Sequence, residues 1–468
     1  MTRPLRLAGY IVIGIVAGLL IASAAIWLLT RTDWGMERAR RFAVSWLDER
    51  IAGELRLSRI SGGGLLGGVV IHDFGIVDPG GRPFLSTDSL ELQYDWKTLA
   101  GGSIELNRVV LHNPDVVLEK LPGDTAWNYE YVFPDTTPGP ATSERRLILF
   151  RDARIINGTA TVRLPLDPAS IDVPADTARI IVERLASGLV RTMRFENVNA
   201  RLDRVIWESP VEKGRLFDIS AVSGRGYVWR DPFRIEDARG TLTMRDSVVS
   251  FDLPEVELAS SGASIVGRVI VGAERNMMDI EVSGDRFAFS DLQWLYPALP
   301  DEGGGSLDLR IQSQEAGGTL YFARDARLST PGTQLAGTFG VVVGDSLYFT
   351  QVDLRASPLD VTLLEQILPG GLPVDGLLVG TVEVSGPLSA LETKGDLRLA
   401  GTGAASGSGV EGAGRPDLLR FTAALAHASS GGGRSTFDGG GTLEGQGEDM
   451  AVRRTHRPPQ RVPGTMAL

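Results

Sequence analysis

The chain has 468 residues, which is too long for one ordinary domain unless that domain is elongated or repetitive. Its formal net charge of −11 argues against a general nucleic-acid-binding protein. The absence of cysteine excludes disulfides, zinc–thiolate sites, iron–sulfur clusters and thiol catalysis. With 57 glycines and only 7% aromatic residues, the composition favours many short strands and turns over long helices.

The first element is an uncharged apolar segment, Leu7–Leu29. A helix of roughly 20 apolar residues is long enough to cross a bilayer. Residues 22–24 (Ala-Ser-Ala) resemble a signal cleavage site, but the apolar run continues past them, so we expect an uncleaved anchor rather than a cleaved signal. Arg3 and Arg6 favour a cytoplasmic N-terminus, with the rest of the chain exported. The anchor residues are Leu7, Ile11, Ile15, Leu19, Ile26 and Leu29.

An amphipathic helix is predicted over Trp34–Ile51, where apolar residues recur at i, i+3 and i+4 and charged residues fill the other face. Gly53 marks its end. Two interpretations stay open. The helix either lies on the bilayer or caps the fold next to the membrane, or it is an ordinary helix packed on a sheet.

From Leu55 the apolar period changes to two, which predicts strands with one apolar and one polar face in an antiparallel sheet. Ser89–Trp96 shows the alternation most clearly, and it resumes after Gly101-Gly102 and after Asn113-Pro114. The residues that we select from the apolar face of these and later strands are Leu90, Leu92, Tyr94, Ile104, Leu106, Val116, Leu118, Leu242 and Met244.

Turn signals separate these strands. Asp78–Gly81 and Leu121–Asp124 are predicted turns, and Gly62–Gly68 is predicted to be a turn rather than a phosphate-binding loop, because no Lys-Ser/Thr follows it. The residues Asn157-Gly158-Thr159 fit either an N-glycosylation site or a hairpin turn, and we prefer the turn.

An internal repeat is predicted in the second half. Leu258–Val269 aligns with Leu328–Phe339, and in both copies a short helix-like segment near a Leu-Pro then leads into a Gly-flanked strand. The offset is roughly 70 residues, and such units bury their apolar faces by stacking on neighbours. The alternative is chance similarity among glycine-rich strands. The agreement of two separate elements favours the repeat.

After Ala400 the composition becomes Gly-, Ala- and Ser-rich, and the final segment is basic and Pro-rich. We expect a truncated or frameshifted end rather than a disordered tail. The predicted organisation is a stub and anchor (1–31), a juxtamembrane helix (32–53), a first β segment (54–133), a Pro-rich loop (134–143), β repeats (144–400) and a low-complexity tail (401–468).

No catalytic constellation is visible. The four histidines have no metal-binding spacing, and the chain lacks the HExxH, GxSxG and GxxxxGK[ST] motifs. The many carboxylates fall at turns and on polar strand faces, where solvated charge is the simpler explanation. We therefore expect no enzymatic activity, no cofactor and no metal.

The order of motifs resembles the AsmA-like family, and most of all its TamB (translocation and assembly module) branch. Each motif is degenerate, and their order and spacing carry the resemblance, which covers roughly Met1–Ala400. After the anchor, the motifs are Thr32–Gly35, Ile60–Gly62 with the glycines to Gly68, Asp78–Pro83, Leu90–Trp96 with Leu99, Ile104–Val109, His112–Val116, Trp127-Asn128, Leu368–Gly371 and Val379–Gly386.

The resemblance implies an all-β fold in which an N-terminal transmembrane helix precedes an elongated, twisted antiparallel β-sheet groove that is taco-like, repeat-built and apolar inside. It also implies a single-pass protein of the bacterial inner membrane with most of its chain in the periplasm. The family's large C-terminal domain is missing from this sequence, which puts the contact with an outer-membrane partner in doubt.

An apolar sheet face must be covered, closed on itself or filled by a ligand. The residues alone favour a closed core for the nine selected side chains, whereas the resemblance favours an open trough lined by them. The leading hypothesis is a non-enzymatic carrier of phospholipid between the inner and outer membranes, with the inner membrane and acyl chains as partners and no nucleic acid. The alternative is a scaffold for outer-membrane β-barrel proteins that works with a barrel-assembly partner through β-augmentation. An envelope hydrolase is the least favoured of the three.

Overall fold

In a computed structural model of the chain, a large part of the sequence is described. The described residues are 52–64, 68–94, 98, 103–133, 147–166, 179–209, 211, 213–272, 276–315, 317–344, 346–360, 362–363, 376–387, 390–400, 418–430 and 434–445. The predicted anchor Leu7–Leu29, the predicted helix Trp34–Ile51 and the Pro-rich loop at 134–143 lie outside them. Within the described ranges, no helix is both long enough and apolar enough to span a membrane.

The described residues are mostly strand, and their pairing is mostly antiparallel, which confirms the predicted all-β class. They divide into two compact units. Unit 1 takes the described residues within 1–170, 181–228 and 241–245, and unit 2 takes those within 171–180, 229–240 and 246–468.

Unit 1 contains one short helix and ten complete strands among its described residues. These are β1 (Glu54–Arg56), β2 (Arg59–Gly64), β3 (Gly68–Val77), β4 (Pro83–Tyr94), β5 (Ile104–His112), β6 (Asp115–Glu119), α1 (Asn128–Val132), β7 (Ile148–Pro165), β8 (Val182–Leu185), β9 (Gly188–Glu208) and β10 (Arg215–Tyr227).

The strands of unit 1 do not form a simple meander. β1 and β2 both pair with β3, and β3 pairs with β4. β5 and β6 each pair with β7 in parallel, which the predicted antiparallel sheet did not include. β5 and β6 pair with β7 at the same offset of 44 residues (148 − 104 and 159 − 115). They therefore follow each other along one edge of β7, with Asn113-Pro114 between them.

The predicted hairpin at Asn157-Gly158 is also wrong. Both residues lie inside the single strand β7. Asn157 adopts φ of 54°, and the register with β9 shifts between Ile155 and Gly158. The left-handed conformation that Asn tolerates is therefore used for a β-bulge rather than for a turn. The turn predictions at Asp78–Gly81 and Leu121–Asp124 are confirmed, since the backbone hydrogen bonds Gly81 N–H to Asp78 O and Asp124 N–H to Leu121 O both form.

Unit 2 is a meander in which strands next to each other in sequence pair antiparallel, from β12 to β20 and on through β22. β11 (Phe233–Arg245) has residues in both units. The strands that follow are β12 (Val248–Leu258), β13 (Gly262–Ile270), β14 (Met277–Ala288), β15 (Gly304–Ser313), β16 (Thr319–Thr330), β17 (Thr333–Val343), β18 (Leu347–Asp360), β19 (Leu377–Pro387), β20 (Ala390–Ala400), β21 (Leu418–Ser430) and β22 (Arg434–Gly445), with a 3₁₀ turn at Phe289–Asp291.

The two segments aligned as a repeat fold in the same way. Leu258–Val269 contains the turn between β12 and β13 and most of β13, and Leu328–Phe339 contains the turn between β16 and β17 and the first part of β17. A buried hydroxyl closes each turn on the strand that follows. Ser261 accepts a hydrogen bond from the Ala288 N–H (2.9 Å), and Thr333 accepts one from the Asp360 N–H (2.9 Å). The two hairpins are thus held by equivalent contacts.

Bulges keep apolar residues of unit 2 on one side. Ala323 and Ala326 are both buried although they are three residues apart, which strict alternation would not allow. Asp325 between them adopts φ of 49°, and the β16–β17 register shifts at this point. A similar shift occurs in β18 around Gln351, whose φ is 50°. Because of the extra residue, the apolar side chains after the bulge stay on the same face of the sheet as those before it.

Candidate functional site

An apolar surface covers one face of the strands at the centre of unit 1. Leu90 and Leu92 project from this face of β4. Residues directly opposite each other in neighbouring strands share a face. The cross-strand partners of Leu90 and Leu92 are all apolar, namely Val69 and Ile71 in β3 and Val109 and Leu111 in β5.

The surface continues through the next ladders. Leu106 lies opposite both Tyr94 and Phe150, and Ile104 lies opposite Ile148. Phe150 in turn faces Val205 of β9, which faces Phe217 of β10. We call this set the unit 1 apolar face. Its residues are Val69, Ile71, Leu90, Leu92, Tyr94, Ile104, Leu106, Val109, Leu111, Ile148, Phe150, Val205 and Phe217.

These side chains are half-buried, and only Val205 among them is fully buried. The contrast with the part of unit 1 under α1 is clear. There Leu55 is 8% exposed, Ile76 is 6% exposed and Val132 of the helix is fully buried. A second layer therefore buries the apolar residues that it touches, and no such layer of described residues lies on the unit 1 apolar face. Partial burial raises the pKa of the Tyr94 phenol, as expected beside apolar neighbours.

The opposite face of the same strands carries charged side chains together with the buried Leu149 and Ile206. Glu91 lies 3.1 Å from the imidazole of His112, and the Arg154 guanidinium donates to Asp152 at 2.8 Å. Val110 also belongs to this face, opposite Glu91 and Arg154, and it is only 1% exposed. Its cross-strand neighbours Glu91 and Arg154 have long side chains with apolar stems, and the most buried side chain of β5 thus lies on the side that carries the ion pairs.

The structure brings together five of the nine predicted lining residues, Leu90, Leu92, Tyr94, Ile104 and Leu106. Val116 and Leu118 form a second group beyond Asn113-Pro114, where they face apolar partners, and both are half-buried. Val116 pairs with Leu85 and Ala160, and Leu118 pairs with Val162.

The last two predicted lining residues, Leu242 and Met244, lie on β11. None of the ladders that hold the other seven includes this strand, and Met244 is 36% exposed. The predicted anchor residues fall outside the described part of the chain.

A longer apolar surface in unit 2 was missed by the sequence reasoning. Val249, Phe251 and Leu253 alternate with polar residues along β12, and their partners in the following strands are apolar in turn. We call this set the unit 2 apolar face. Its residues are Val249, Phe251, Leu253, Ile265, Val269, Met278, Ile280, Val282, Leu309, Ile311, Tyr321, Ala323, Val341 and Phe349. The alternation in Val248–Leu258 and Met277–Val282 was the available signal.

The unit 2 apolar face is half-buried except at Ala323, and its reverse side carries ion pairs. On that side the Arg310 guanidinium lies 3.1 Å from Asp279 and 4.0 Å from Glu281. These pairs are solvent-exposed, so each adds at most about 1 kcal/mol to stability, and they mark the side that faces water.

No metal centre accompanies these surfaces, since the described residues contain no cluster of three His, Asp or Glu side chains able to hold an ion. Comparison of the chain with protein-family models, with curated proteins and with solved structures gave no match. The two apolar faces are therefore the main functional feature of the described residues.

Proposed function

We propose that the chain is an inner-membrane-anchored periplasmic protein that carries phospholipid between the inner and outer membranes on its apolar sheet faces. One observation carries this proposal. In both units a continuous apolar face is only half-buried, while the reverse face carries ion pairs. Exposed apolar surfaces of this extent mark binding sites for apolar partners.

Acyl chains fit such a surface physically. Each CH₂ group of the acyl chain that leaves water contributes about 0.8 kcal/mol to the binding free energy. The CH₂ groups of one acyl chain therefore add up to a substantial affinity. The contacts are non-directional and recur from strand to strand. A lipid can therefore move along the face without breaking specific hydrogen bonds, which suits transport better than storage.

The resemblance to the AsmA-like family and its TamB branch, stated from the sequence, supports the same conclusion. In that proposal the faces line an open, taco-like groove, Leu7–Leu29 retains the protein in the inner membrane, and no catalytic group is needed. A periplasm-active reporter fused after Ala400 should be active in cells. Activity from a cytoplasmic reporter alone would overturn the orientation.

The central experiment is site-specific photocrosslinking in cells. A photoreactive residue at Leu92 or at Leu106 should give phospholipid adducts. Gln93 is the matched control, because it is the next residue of β4, faces the other side and is more exposed than Leu92. Labelling that depended only on solvent access would favour Gln93.

Phospholipid adducts from position 92 but not from position 93 support the carrier. Adducts to nascent outer-membrane barrel proteins alone, with none to lipid, would instead favour the scaffold function and reject lipid transport by this face.

A further inference from the structure

An arginine and a tryptophan lie together where the unit 1 apolar face ends. Trp207 is near the end of β9 and Arg215 is the first residue of β10. The Arg215 guanidinium carbon lies 4.1 Å from the centre of the Trp207 ring. The Trp207 ring also meets Phe217 edge-on, with centroids 6.5 Å apart and an angle of 89°. Because Phe217 belongs to the unit 1 apolar face, this contact places Trp207 on that face as well.

Both side chains are open to solvent. Trp207 is 43% exposed and Arg215 is exposed. Tyr129 of α1 is also exposed, at 39%. Burial raises the pKa of the Tyr129 phenol, and the repulsion from Glu130 adds to this, while the positive charge of Arg215 opposes it. The Arg215 guanidinium thus lies against the Trp207 ring and acts electrostatically on the Tyr129 phenol of another element.

Arg215 differs from most arginines of unit 1. Arg82, Arg154 and Arg163 each bind a carboxylate within 3.3 Å. Arg215 makes no ion pair with any described residue, and its guanidinium lies against the ring of Trp207. A cation held by an aromatic face keeps its five N–H donors free and limits the conformations that it must lose on binding.

A guanidinium that has no ion pair among the described residues and lies at the end of an apolar surface fits an amphiphile with an apolar chain and an anionic phosphate. Arginine recognises phosphate through two parallel charge-assisted hydrogen bonds. The chain has an excess of acidic residues, with 58 Asp and Glu against 47 Lys and Arg, so an anion is not attracted by the protein as a whole and depends on such local cations.

We propose that Arg215, held on Trp207, binds the phosphate headgroup of a phospholipid whose acyl chains lie on the unit 1 apolar face. This inference rests on the proposed function. It adds that unit 1 holds a lipid in one orientation, with the headgroup at the β9–β10 end of the face. Arg215 is then a specificity residue that favours phospholipid over neutral lipid.

The test uses the full-length protein in detergent micelles, titrated with tail-labelled fluorescent phosphatidylglycerol and with diacylglycerol that carries the same label. Arg215→Gln should weaken phosphatidylglycerol binding about tenfold, the loss expected for one hydrogen bond to a charged group. Arg215→Lys should retain part of the affinity, since it keeps the charge and loses the bidentate geometry. Diacylglycerol binding should be unchanged in both variants.

Arg225→Gln is the matched control. Arg225 is an exposed arginine on the same strand, opposite Glu196, and its replacement should leave both lipids bound as in the wild type. Inorganic phosphate at concentrations equal to the lipid should not displace phosphatidylglycerol.

Three results would overturn the inference while leaving the proposed function intact. They are an unchanged affinity of Arg215→Gln for phosphatidylglycerol, an equal loss for both lipids, and displacement by equimolar phosphate, which would assign Arg215 to a free anion. Failure of the wild-type protein to bind either lipid would instead refute the proposed function itself.

Discussion

The side-chain amide of Asn128 donates a hydrogen bond to the Val117 carbonyl at 2.6 Å, and both residues are buried. The oxygen of this amide accepts a hydrogen bond from the Glu119 backbone N–H at 3.0 Å. A single side chain at the start of α1 thus continues the ladder of β6 and fixes the helix on the sheet.

Asn128→Ala should therefore destabilise unit 1. The substitution leaves the buried Val117 carbonyl and Glu119 N–H without a partner, and such orphaned groups cost about 1–3 kcal/mol each. We expect faster hydrogen exchange in β6 and α1 and earlier proteolysis near α1. Asn107→Ala, at an exposed asparagine of β5, serves as the control. Equal protection in the two variants would show that α1 is held by its apolar contacts alone.

Acid should loosen the same corner of unit 1. Burial would raise the pKa of the Asp124 carboxyl, but hydrogen bonds from the Arg82 guanidinium (2.7 Å) and the Leu121 N–H outweigh burial and hold that pKa below its usual value of 3.8. A carboxyl group whose folded pKa lies below its unfolded value stabilises the fold above the unfolded pKa. This stabilisation is lost as the pH falls through the folded pKa.

The wild-type protein should accordingly lose stability below about pH 4, where the unfolded carboxyl begins to bind a proton. Asp124→Asn should be less stable than the wild type at pH 6, and the difference should shrink as the pH approaches 3. Urea midpoints measured by tryptophan fluorescence across this range test the prediction. Asp285→Asn, at an exposed carboxyl without an ion pair among the described residues, should run parallel to the wild type.

The facial segregation of the strands could be predicted from the sequence, because alternation alone sets which side chains share a face. Leu90 and Leu92 lie where the alternation places them. The parallel pairing of β5 with β7 could not be predicted, since it depends on a connection of more than thirty residues whose path no local pattern reveals.

Turn chemistry misled for a physical reason. Asn-Gly favours a left-handed residue, and a β-bulge uses that conformation as readily as a hairpin does. Asn113 and Asn157 both adopt it, with φ of 51° and 54°, and their side chains are joined by a hydrogen bond of 2.8 Å from Asn157 Nδ2 to Asn113 Oδ1. The contact crosses two strands, so neither residue's sequence neighbours could have indicated it. Trp207 and Arg215 escaped notice for the same reason.

Three glycines occupy the same kind of position in the sheet, packed against an aspartate carbonyl of the neighbouring strand. This shared position becomes visible only when the strand pairing is known. Gly240, Gly337 and Gly380 have φ of 142°, 143° and 144°. A Cβ at each would collide with the backbone carbonyl of an aspartate on the neighbouring strand, and each aspartate is followed by a leucine. These aspartates are Asp252, Asp353 and Asp396.

Gly337→Ala should hence open the β17–β18 ladder. Alanine is strained at this φ, and the collision with Asp353 forces the strands apart, for a combined loss of about 2 kcal/mol or more. Hydrogen exchange of β17 and β18 amides measures the effect. Gly75→Ala is the control, because the nearest atom to its added Cβ is 3.5 Å away and no positive φ is required. Normal protection in Gly337→Ala would mean that the ladder tolerates a wider separation here.

A pair of substitutions in unit 2 separates an open apolar face from a closed core. Ile280 is half-buried on the unit 2 apolar face, whereas Ala326, which the bulge at Asp325 keeps on the side of Ala323, is only 5% exposed. If the face is open, the carboxylate of Ile280→Asp reaches water and the free energy of unfolding falls by no more than about 1 kcal/mol. Ala326→Asp buries an unpaired charge and should cost about 3–5 kcal/mol. Thermal unfolding of the full-length protein gives this comparison.

Lipid binding adds the second half of the same test. Ile280→Asp should retain the fold yet reduce photoadducts from a reporter residue at Val282, its neighbour on the same face, since a charged group repels acyl chains from the surface it occupies. A loss of stability as large as that of Ala326→Asp would instead show that Ile280 packs in a core. In that case the apolar side chains of unit 2 would form a closed core, and lipid would bind only the unit 1 apolar face.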